Sequence, residues 1–577
     1  MPMVNLTIDG LSVQVEQGTT VLEAARKVGI NIPTLCYLRE INEIGACRIC
    51  VVEVKGARTL QAACVTPVAE NMVVLTNTPA VRASRRMTLE LILSNHPFEC
   101  PTCVRNQNCE LQSLAETFGI REVRYQGASP EYKLDNSSVA LIRDPNKCIL
   151  CRRCIAVCEK VQTVKAISPQ GRGFETLVAP GIDVPLADSS CVNCSQCVLV
   201  CPTGALYERD QIEEVWAALN DPNKHVIVQT APAVRVAIGE AFGMAPGSIA
   251  TGQLVAGLRR LGFDKVFDTD FSADLTIMEE GSELIERVAN GGVLPMITSC
   301  SPGWIKFIET FYPSLLPHLS TCKSPQQMFG ALAKTYYAEK EGLDPASIFS
   351  VSIMPCTAKK FEAQRPEMNS SGLQDVDVVL TTRELGRMFK QAGIEFSGLS
   401  EEKYDDPLGI STGAAVIFGA TGGVMEAALR TAYELITGEA LASVDFVDVR
   451  GLEGVKEATI KAGDLDVKVA VAHGLGNAKQ LMDALQAGEV DYHFIEIMCC
   501  PGGCIGGGGQ PIPTNLEIRR QRIEGIYTAD ERMEIRKSHE NPAVQQLYKE
   551  FLEKPLGHKS HELLHTHYTP RRKYEIA

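Results

Sequence analysis

Cys148-Ile-Leu-Cys151-Arg-Arg-Cys154-Ile-Ala-Val-Cys158 and Cys191-Val-Asn-Cys194-Ser-Gln-Cys197-Val-Leu-Val-Cys201 carry one spacing twice, C-x2-C-x2-C-x3-C, and Pro202 closes the second run. Three thiolates two residues apart can wrap one corner of an iron–sulfur cubane. The fourth lies too far along to join them and is free to ligate a second cubane. The spacing therefore predicts a two-cubane ferredoxin domain, with Cys148, Cys151 and Cys154 joined by Cys201, and Cys191, Cys194 and Cys197 joined by Cys158. A pair of zinc sites is the competing reading, but zinc favours paired C-x2-C knuckles over triple runs. This stretch carries electrons.

The rest of the chain is consistent with that. Its 577 residues leave room for several domains, and 45% hydrophobic with 22% charged residues is ordinary globular composition. A net charge of −14 argues against nucleic acid or an acidic membrane surface as partner. No apolar run is long enough to span a membrane. Met1 to Gly10 reads as a strand, not as a charged n-region with an apolar h-region. The 21 cysteines make sense as ligands in a reducing cytoplasm, the expected location. Export beside a partner that carries the signal stays open. Fifteen of the 21 fall before residue 202, so the first third is a wiring module.

Two further stations precede the duplicated motif. Cys36, Cys47, Cys50 and Cys64 come after two alternating segments, Val4 to Ile8 and Leu11 to Val15, and a helical stretch, Val21 to Val28. That order suits a plant-type [2Fe-2S] ferredoxin domain, with zinc or plain buried thiols as alternatives. His96, Cys100, Cys103 and Cys109 then read H-x3-C-x2-C-x5-C. A lone histidine is usually structural, but this one stands beside three cysteines that need a fourth partner, which predicts a [4Fe-4S] cluster with one histidine ligand. The amphipathic stretch Arg82 to Ser94 would support it. The array resembles the N-terminal part of the large electron-transfer subunit of respiratory complex I, and equally the N-terminal half of the [FeFe]-hydrogenases.

The chain beyond residue 210 separates the two. His225 to Gln229, Leu294 to Thr298, Ile348 to Met354, Val376 to Thr381 and Val467 to Ala472 read as short buried strands. Between them lie helices such as Gln253 to Leu261, Pro325 to Lys340 and Val424 to Leu435. An α/β core with parallel sheet gathers ligands at the carboxyl ends of its strands, where Cys300, Cys356, Cys499, Cys500 and Cys504 fall. Three segments resemble the signature stretches of the [FeFe]-hydrogenase catalytic domain. They are Thr298-Ser-Cys-Ser-Pro-Gly-Trp304, Met354-Pro-Cys-Thr-Ala-Lys-Lys-Phe-Glu362 and Glu496-Ile-Met-Cys-Cys-Pro-Gly-Gly-Cys-Ile-Gly-Gly-Gly-Gly-Gln-Pro511. The final 60 residues resemble the tail of the family's long members. A site built from His558, His561, His565 and His567 is the alternative, and a packed tail the preferred reading.

The resemblance implies a multidomain α+β and α/β fold. Its parts would be a [2Fe-2S] β-grasp domain (1–79), a small histidine/cysteine-ligated [4Fe-4S] domain (80–125), a two-[4Fe-4S] domain (139–209) and a large α/β catalytic domain with its tail (210–577). It implies an H-cluster, a [4Fe-4S] cubane joined to a diiron centre carrying CO, CN and an azadithiolate. Cys356, Cys500 and Cys504 would ligate the cubane, with Cys504 bridging to the diiron unit. Lys359 would hydrogen-bond a cyanide. Met354 and Met498 would pack against the diiron unit, and Pro232, Ala233 and the glycines at 506 to 509 would let backbone come close. Glu280, Glu283 and Arg287 share a helix face, which composition alone reads as a solvated charged face. By resemblance, Arg287, Glu283, Ser320, Glu280 and Cys300 form a proton relay, the thiol tuned near working pH.

The chain departs from the family in one motif. The usual first segment has two adjacent cysteines, a relay thiol and then a cubane ligand; here Cys300 is followed by Ser301, and Cys499 and Cys322 stand where small residues are usual. Ser301 as an alkoxide ligand, Cys300 swinging in, or Cys499 supplying the sulfur are all open, and Ser301 is kept in the candidate ligand set. The expected activity is reversible interconversion of H2 with protons and electrons. The alternative is a hydrogen sensor or an electron-transfer subunit with little turnover. Expected partners are ferredoxin or a flavoprotein NAD(P) subunit in a hetero-oligomer, and H-cluster maturation proteins. The one candidate nicotinamide motif, Gly474-Leu-Gly-Asn-Ala-Lys479, lacks its third glycine and reads as a plain strand-to-helix turn.

Overall fold

The computed structural model describes residues 2–127, 131–181, 183–441, 443–462 and 465–574. At the N-terminus, Met3–Ile8 and Leu11–Glu16 pair antiparallel. Their tip is Asp9 and Gly10, both at positive φ (45° and 86°), the backbone that matches the twist of a tight hairpin. Met72–Leu75 lies parallel to Met3–Ile8, and Val51–Val54 and Gln61–Ala62 complete a five-stranded sheet. Helix Val21–Lys27, capped by the Thr20 hydroxyl, packs its Val21, Leu22, Ala24 and Ala25 face on it. Pro79–Leu93 comes next, opened by Thr78 and an N-terminal proline. Its buried Arg85 donates to the Val51 carbonyl at 2.8 Å and ties this helix to the sheet.

The duplicated cysteine motif is duplicated in backbone. Leu150 and Arg152 in the first run, and Asn193 and Ser195 in the second, all take positive φ (50–61°). Left-handed backbone at a non-glycine residue costs about 1–2 kcal/mol, so it persists only where the surroundings dictate it. Here it lets the chain wrap inward before each short helix, Arg153–Ala156 and Gln196–Val200.

The parallel sheet expected downstream is present as two four-stranded sheets. The first is wholly parallel, in the order Lys265–Asp268, His225–Thr230, Ile348–Met354, Val378–Thr381. The second runs Met296–Ile297, Phe494–Met498, Leu465–His473, Val455–Ala462, and its outermost strand is antiparallel. Helix Thr269–Asn290 explains the split. It is buried on every side from Thr269 to Ile277, so it runs through the molecule and not along a surface. Of the Leu294 to Thr298 stretch only Met296–Ile297 pairs.

Residues beyond 515 form a strap of helices, Leu516–Glu531, Pro542–Leu547 and His558–Leu564, over the catalytic domain. Arg522 pairs with Glu240 at 2.7 Å, Asp530 with the buried Arg430 at 2.8 Å, and Arg571 with Glu309 at 2.7 Å. Asn541 donates to Asp274 at 2.8 Å. Among the described residues no helix is long and apolar enough to cross a membrane.

Candidate active site

Both parallel strand sets end at one cavity. The first sheet brings Pro232, Met354, Cys356 and Lys359; the second brings Cys300, Ser301, Met498, Cys499, Cys500 and Cys504. Thr269 and Ala273 of the dividing helix, with Pro325, Gln326 and Phe418, complete the wall. Ala233 is not among the lining residues; its carbonyl accepts from Gln510 at 3.1 Å. Of the glycine run only Gly507 reaches the cavity. Its neighbours serve protein packing: a Cβ on Gly508 would stand 2.2 Å from the Cys194 carbonyl, and one on Gly506 2.1 Å from that of Pro501.

The Lys359 ammonium is held before any ligand arrives. It donates to Glu362 at 2.8 Å and to the Cys300 carbonyl at 3.2 Å. Glu362 in turn accepts from Ser324 at 2.9 Å and Gln326 at 3.2 Å. Sequence reading passed over both positioning residues. Glu362 had a signal, its i+3 place after Lys359; Gln326, far off in sequence, had none.

The helix face with Glu280 and Glu283 is buried, not solvated: they are 2% and 7% exposed. Arg287 pairs with Glu283 at 2.6 Å, and Ser320 donates to the other Glu283 oxygen at 3.0 Å. Glu280 also hydrogen-bonds Ser320, and burial pushes its carboxyl up to about 8. Burial and the nearby Glu280 push the Cys300 thiol well above its ordinary value. The thiol therefore rests as S–H, not poised near neutrality as expected from the relay role. The five groups form a file from the partly exposed Arg287 to the cavity.

The other predicted sites assemble too. Cys148, Cys151, Cys154 and Cys201 line a second cavity. Burial raises the Cys158 thiol to about 12, helped by Cys191 and Cys194, which face it. Cys197 faces Cys191, Cys194 and Cys158 as well. In the N-terminal domain, the Cys50 and Cys64 sulfurs lie 3.3 Å apart and Cys36 accepts the Cys47 amide at 3.5 Å. His96 is half-buried with an unpartnered Nδ1, and burial lowers it to about 4, so the ring is neutral and has a lone pair to give. Cys100, Cys103 and Cys109 stand after it, and the Cys109 thiol reaches the Pro202 carbonyl at 3.6 Å. Among the described residues all 21 cysteines are free of disulfides. Thiols without disulfides, and an imidazole nitrogen with no partner, are the kind of donors that iron–sulfur clusters require. Of the tail histidines, His561 and His565 lie together with ring centroids 4.4 Å apart, and among the described residues the four form no common metal-binding group. His565 is buried against Thr321 (2.7 Å) and Glu279 (3.2 Å), while His558 opens an α-helix. The Gly474 turn is plain: a Cβ on Gly476 would stand 2.9 Å from the Val161 carbonyl, so no phosphate fits there.

This fold and donor set define an iron–sulfur oxidoreductase with its reaction cavity at the end of a cluster chain. Residues 224–508 match the iron-only hydrogenase large subunit, C-terminal domain, and 516–571 match the iron hydrogenase small subunit. Residues 1–79 match a 2Fe-2S cluster-binding domain, 85–124 the NADH-ubiquinone oxidoreductase-G iron-sulfur binding region, and 147–205 a 4Fe-4S dicluster domain. NADP-reducing hydrogenase subunit HndD of Solidesulfovibrio fructosivorans is 54% identical, covering 99% of this chain and 100% of its own. Iron hydrogenase 1 of Clostridium pasteurianum is 43% identical over 98% of this chain and 100% of its own. An [FeFe]-hydrogenase structure from Chlamydomonas reinhardtii superposes with TM-score 0.57 and 48% identity, covering 63% of this chain and 99% of that one. The chain belongs to the iron-only, or [FeFe]-, hydrogenase family. Iron–sulfur clusters and an H-cluster are its cofactors.

Proposed function

We propose that this protein interconverts dihydrogen with protons and electrons, in either direction. The observation that carries this is one cavity holding Cys356, Cys500 and Cys504 beside Lys359, with the Arg287–Glu283–Ser320–Glu280–Cys300 file entering it. When bound, the H-cluster supplies the metal centre at which protons and electrons combine. Everything else is done by this chain.

Cys356, Cys500 and Cys504 would hold the H-cluster as thiolates. Lys359, fixed by Glu362, would offer an ammonium N–H as hydrogen-bond donor to a cyanide of that group. Met354 and Met498 exclude water and offer a soft, polarizable wall. Cys300 delivers its thiol proton into the cavity and is refilled by Glu280, which is protonated at neutral pH. Ser320 and Glu283 pass the replacement from the Arg287 side. Cys36, Cys47, Cys50 and Cys64 would hold a [2Fe-2S] cluster, His96, Cys100, Cys103 and Cys109 a [4Fe-4S] cluster, and the duplicated motif two cubanes, which would supply the path for electrons. The Cys194 thiol lies against Cys499, so the last of these adjoins the cavity.

The nearly end-to-end likeness to a subunit of an NADP-reducing hydrogenase supports a hetero-oligomer in which a flavoprotein handles the nicotinamide. The N-terminal ferredoxin-like domain is its natural dock, or that of free ferredoxin, and the cytoplasm its location. The test is an infrared spectrum of anaerobically matured protein with hydrogen evolution from reduced viologen on the same sample. Carbonyl and cyanide bands with turnover are expected; intact accessory clusters without bands or turnover would overturn the reading.

A further inference from the structure

Accepting the hydrogenase reading above, on which this inference rests, the cubane in the cavity presents four irons and each takes a terminal donor. Cys356, Cys500 and Cys504 provide three. Three side chains at the cavity wall remain for the fourth: Cys300, Ser301 and Cys499. We propose that Cys499 supplies the fourth sulfur and that Ser301 is not a ligand.

The neighbours of each candidate decide between them. The Cys300 carbonyl is tied to Lys359 at 3.2 Å and its thiol faces Glu280, so swinging it onto iron would break the file that reaches the cavity. Ser301 precedes helix Pro302–Phe311 but does not cap it. Its hydroxyl accepts the Cys499 amide proton at 3.1 Å, which fixes the Cys499 backbone beside position 301. A hydroxyl is also a poor donor for iron–sulfur clusters, which select soft thiolates.

Cys499 has what a ligand thiolate needs. Its thiol lies between those of Cys194 and Cys500, and the second of these is already assigned to the cubane. The buried Gln162 amide donates to the Cys499 carbonyl at 3.1 Å and reaches its sulfur at 3.8 Å, an N–H aimed where negative charge would sit. Room for the sulfur comes from Gly303, where a Cβ would stand 2.6 Å from Cys499 Sγ. The two unusual residues thus face each other, and one sulfur has moved from the loop after Met296–Ile297 to the loop after Phe494–Met498. On binding iron, the Cys499 thiol releases its proton.

Full-length protein, matured anaerobically, is compared with Cys499→Ala, Ser301→Ala and the paired exchange Ser301→Cys with Cys499→Ala. The readouts are iron per chain, low-temperature electron paramagnetic resonance and the carbonyl and cyanide infrared bands. Cys499→Ala is expected to lose about six irons, those of the cubane and of the diiron centre joined to it, and all the bands, with the accessory-cluster resonances kept. Ser301→Ala should keep both, and the exchange should restore both, which separates ligand loss from misfolding. Cys499→Ala with full iron and bands overturns the proposal, as does a Ser301→Ala that loses them or an exchange that restores nothing. Iron lost with bands kept would place Cys499 on the Cys194 cluster and also overturns it. Bands missing from the unsubstituted protein overturn the hydrogenase reading itself, and this assignment with it.

Discussion

Glu280 owes its behaviour to burial: 2% exposed, it carries a carboxyl raised to about 8. Glu280→Gln keeps shape and a hydrogen-bond partner for Ser320 but cannot pass a proton. Hydrogen turnover should fall about 10²–10⁴-fold while the infrared bands stay; turnover within twofold of the parent would rule Glu280 out of the relay. The same residue sets a pH trend. Unfolded, a glutamate titrates near about 4.3, so between there and about 8 the folded state holds the extra proton and loses stability as pH rises. In Glu280→Gln that loss is absent. Its unfolding midpoint, relative to the parent, should rise from pH 6 to pH 9; a constant difference would contradict the buried, protonated carboxyl. Sequence showed Glu280, Glu283 and Arg287 on one face but not its burial, because Ser320, which joins them, arrives from a distant loop. Ligand residues were legible, since their spacing is local; Gln162 and Gln326, which position them, were not.

At the scale of elements, paired strands and helices lay close to where period and capping put them, and the split into two sheets did not. No periodicity reports that helix Thr269–Asn290 is enclosed from several sides. Glycines 506 to 509 were readable as a place of close approach, but the approaching group is mostly the chain itself, at the Cys194 and Pro501 carbonyls. Helix Gly423–Thr437 is pinned to the strap through Arg430, which is fully buried between Glu426 (2.7 Å) and Asp530 (2.8 Å), and Asp530 also takes Arg536. Asp530→Ala removes one of the two buried carboxylates that hold Arg430 and should cost about 3–5 kcal/mol in denaturant unfolding. Asp491→Ala removes an exposed pair with Lys468 and should leave the denaturant midpoint almost unchanged. Equal effects would show that the Arg430 network does not anchor the strap.

For the whole molecule, the proposed function makes order along the chain the order along the electron path. The ferredoxin-like segment lies at one end and the reaction cavity in the body, with the Cys194 thiol against the cavity residue Cys499. Cys64→Ser should abolish the [2Fe-2S] resonance and cut partner-driven hydrogen evolution at least about tenfold (some 1.4 kcal/mol), while viologen-driven evolution stays near the parent rate. Equal losses with both donors would argue against entry through that domain. The strap over the catalytic domain matches, at residues 516–571, a family described as a small subunit, yet here it is continuous with the catalytic chain. Tethering turns an association that would depend on the supply of a second polypeptide into a unimolecular closure, at an effective concentration in the millimolar range. Dilution cannot strip the strap from this protein; only a cut in the connection near Thr514 would make its hold depend on concentration.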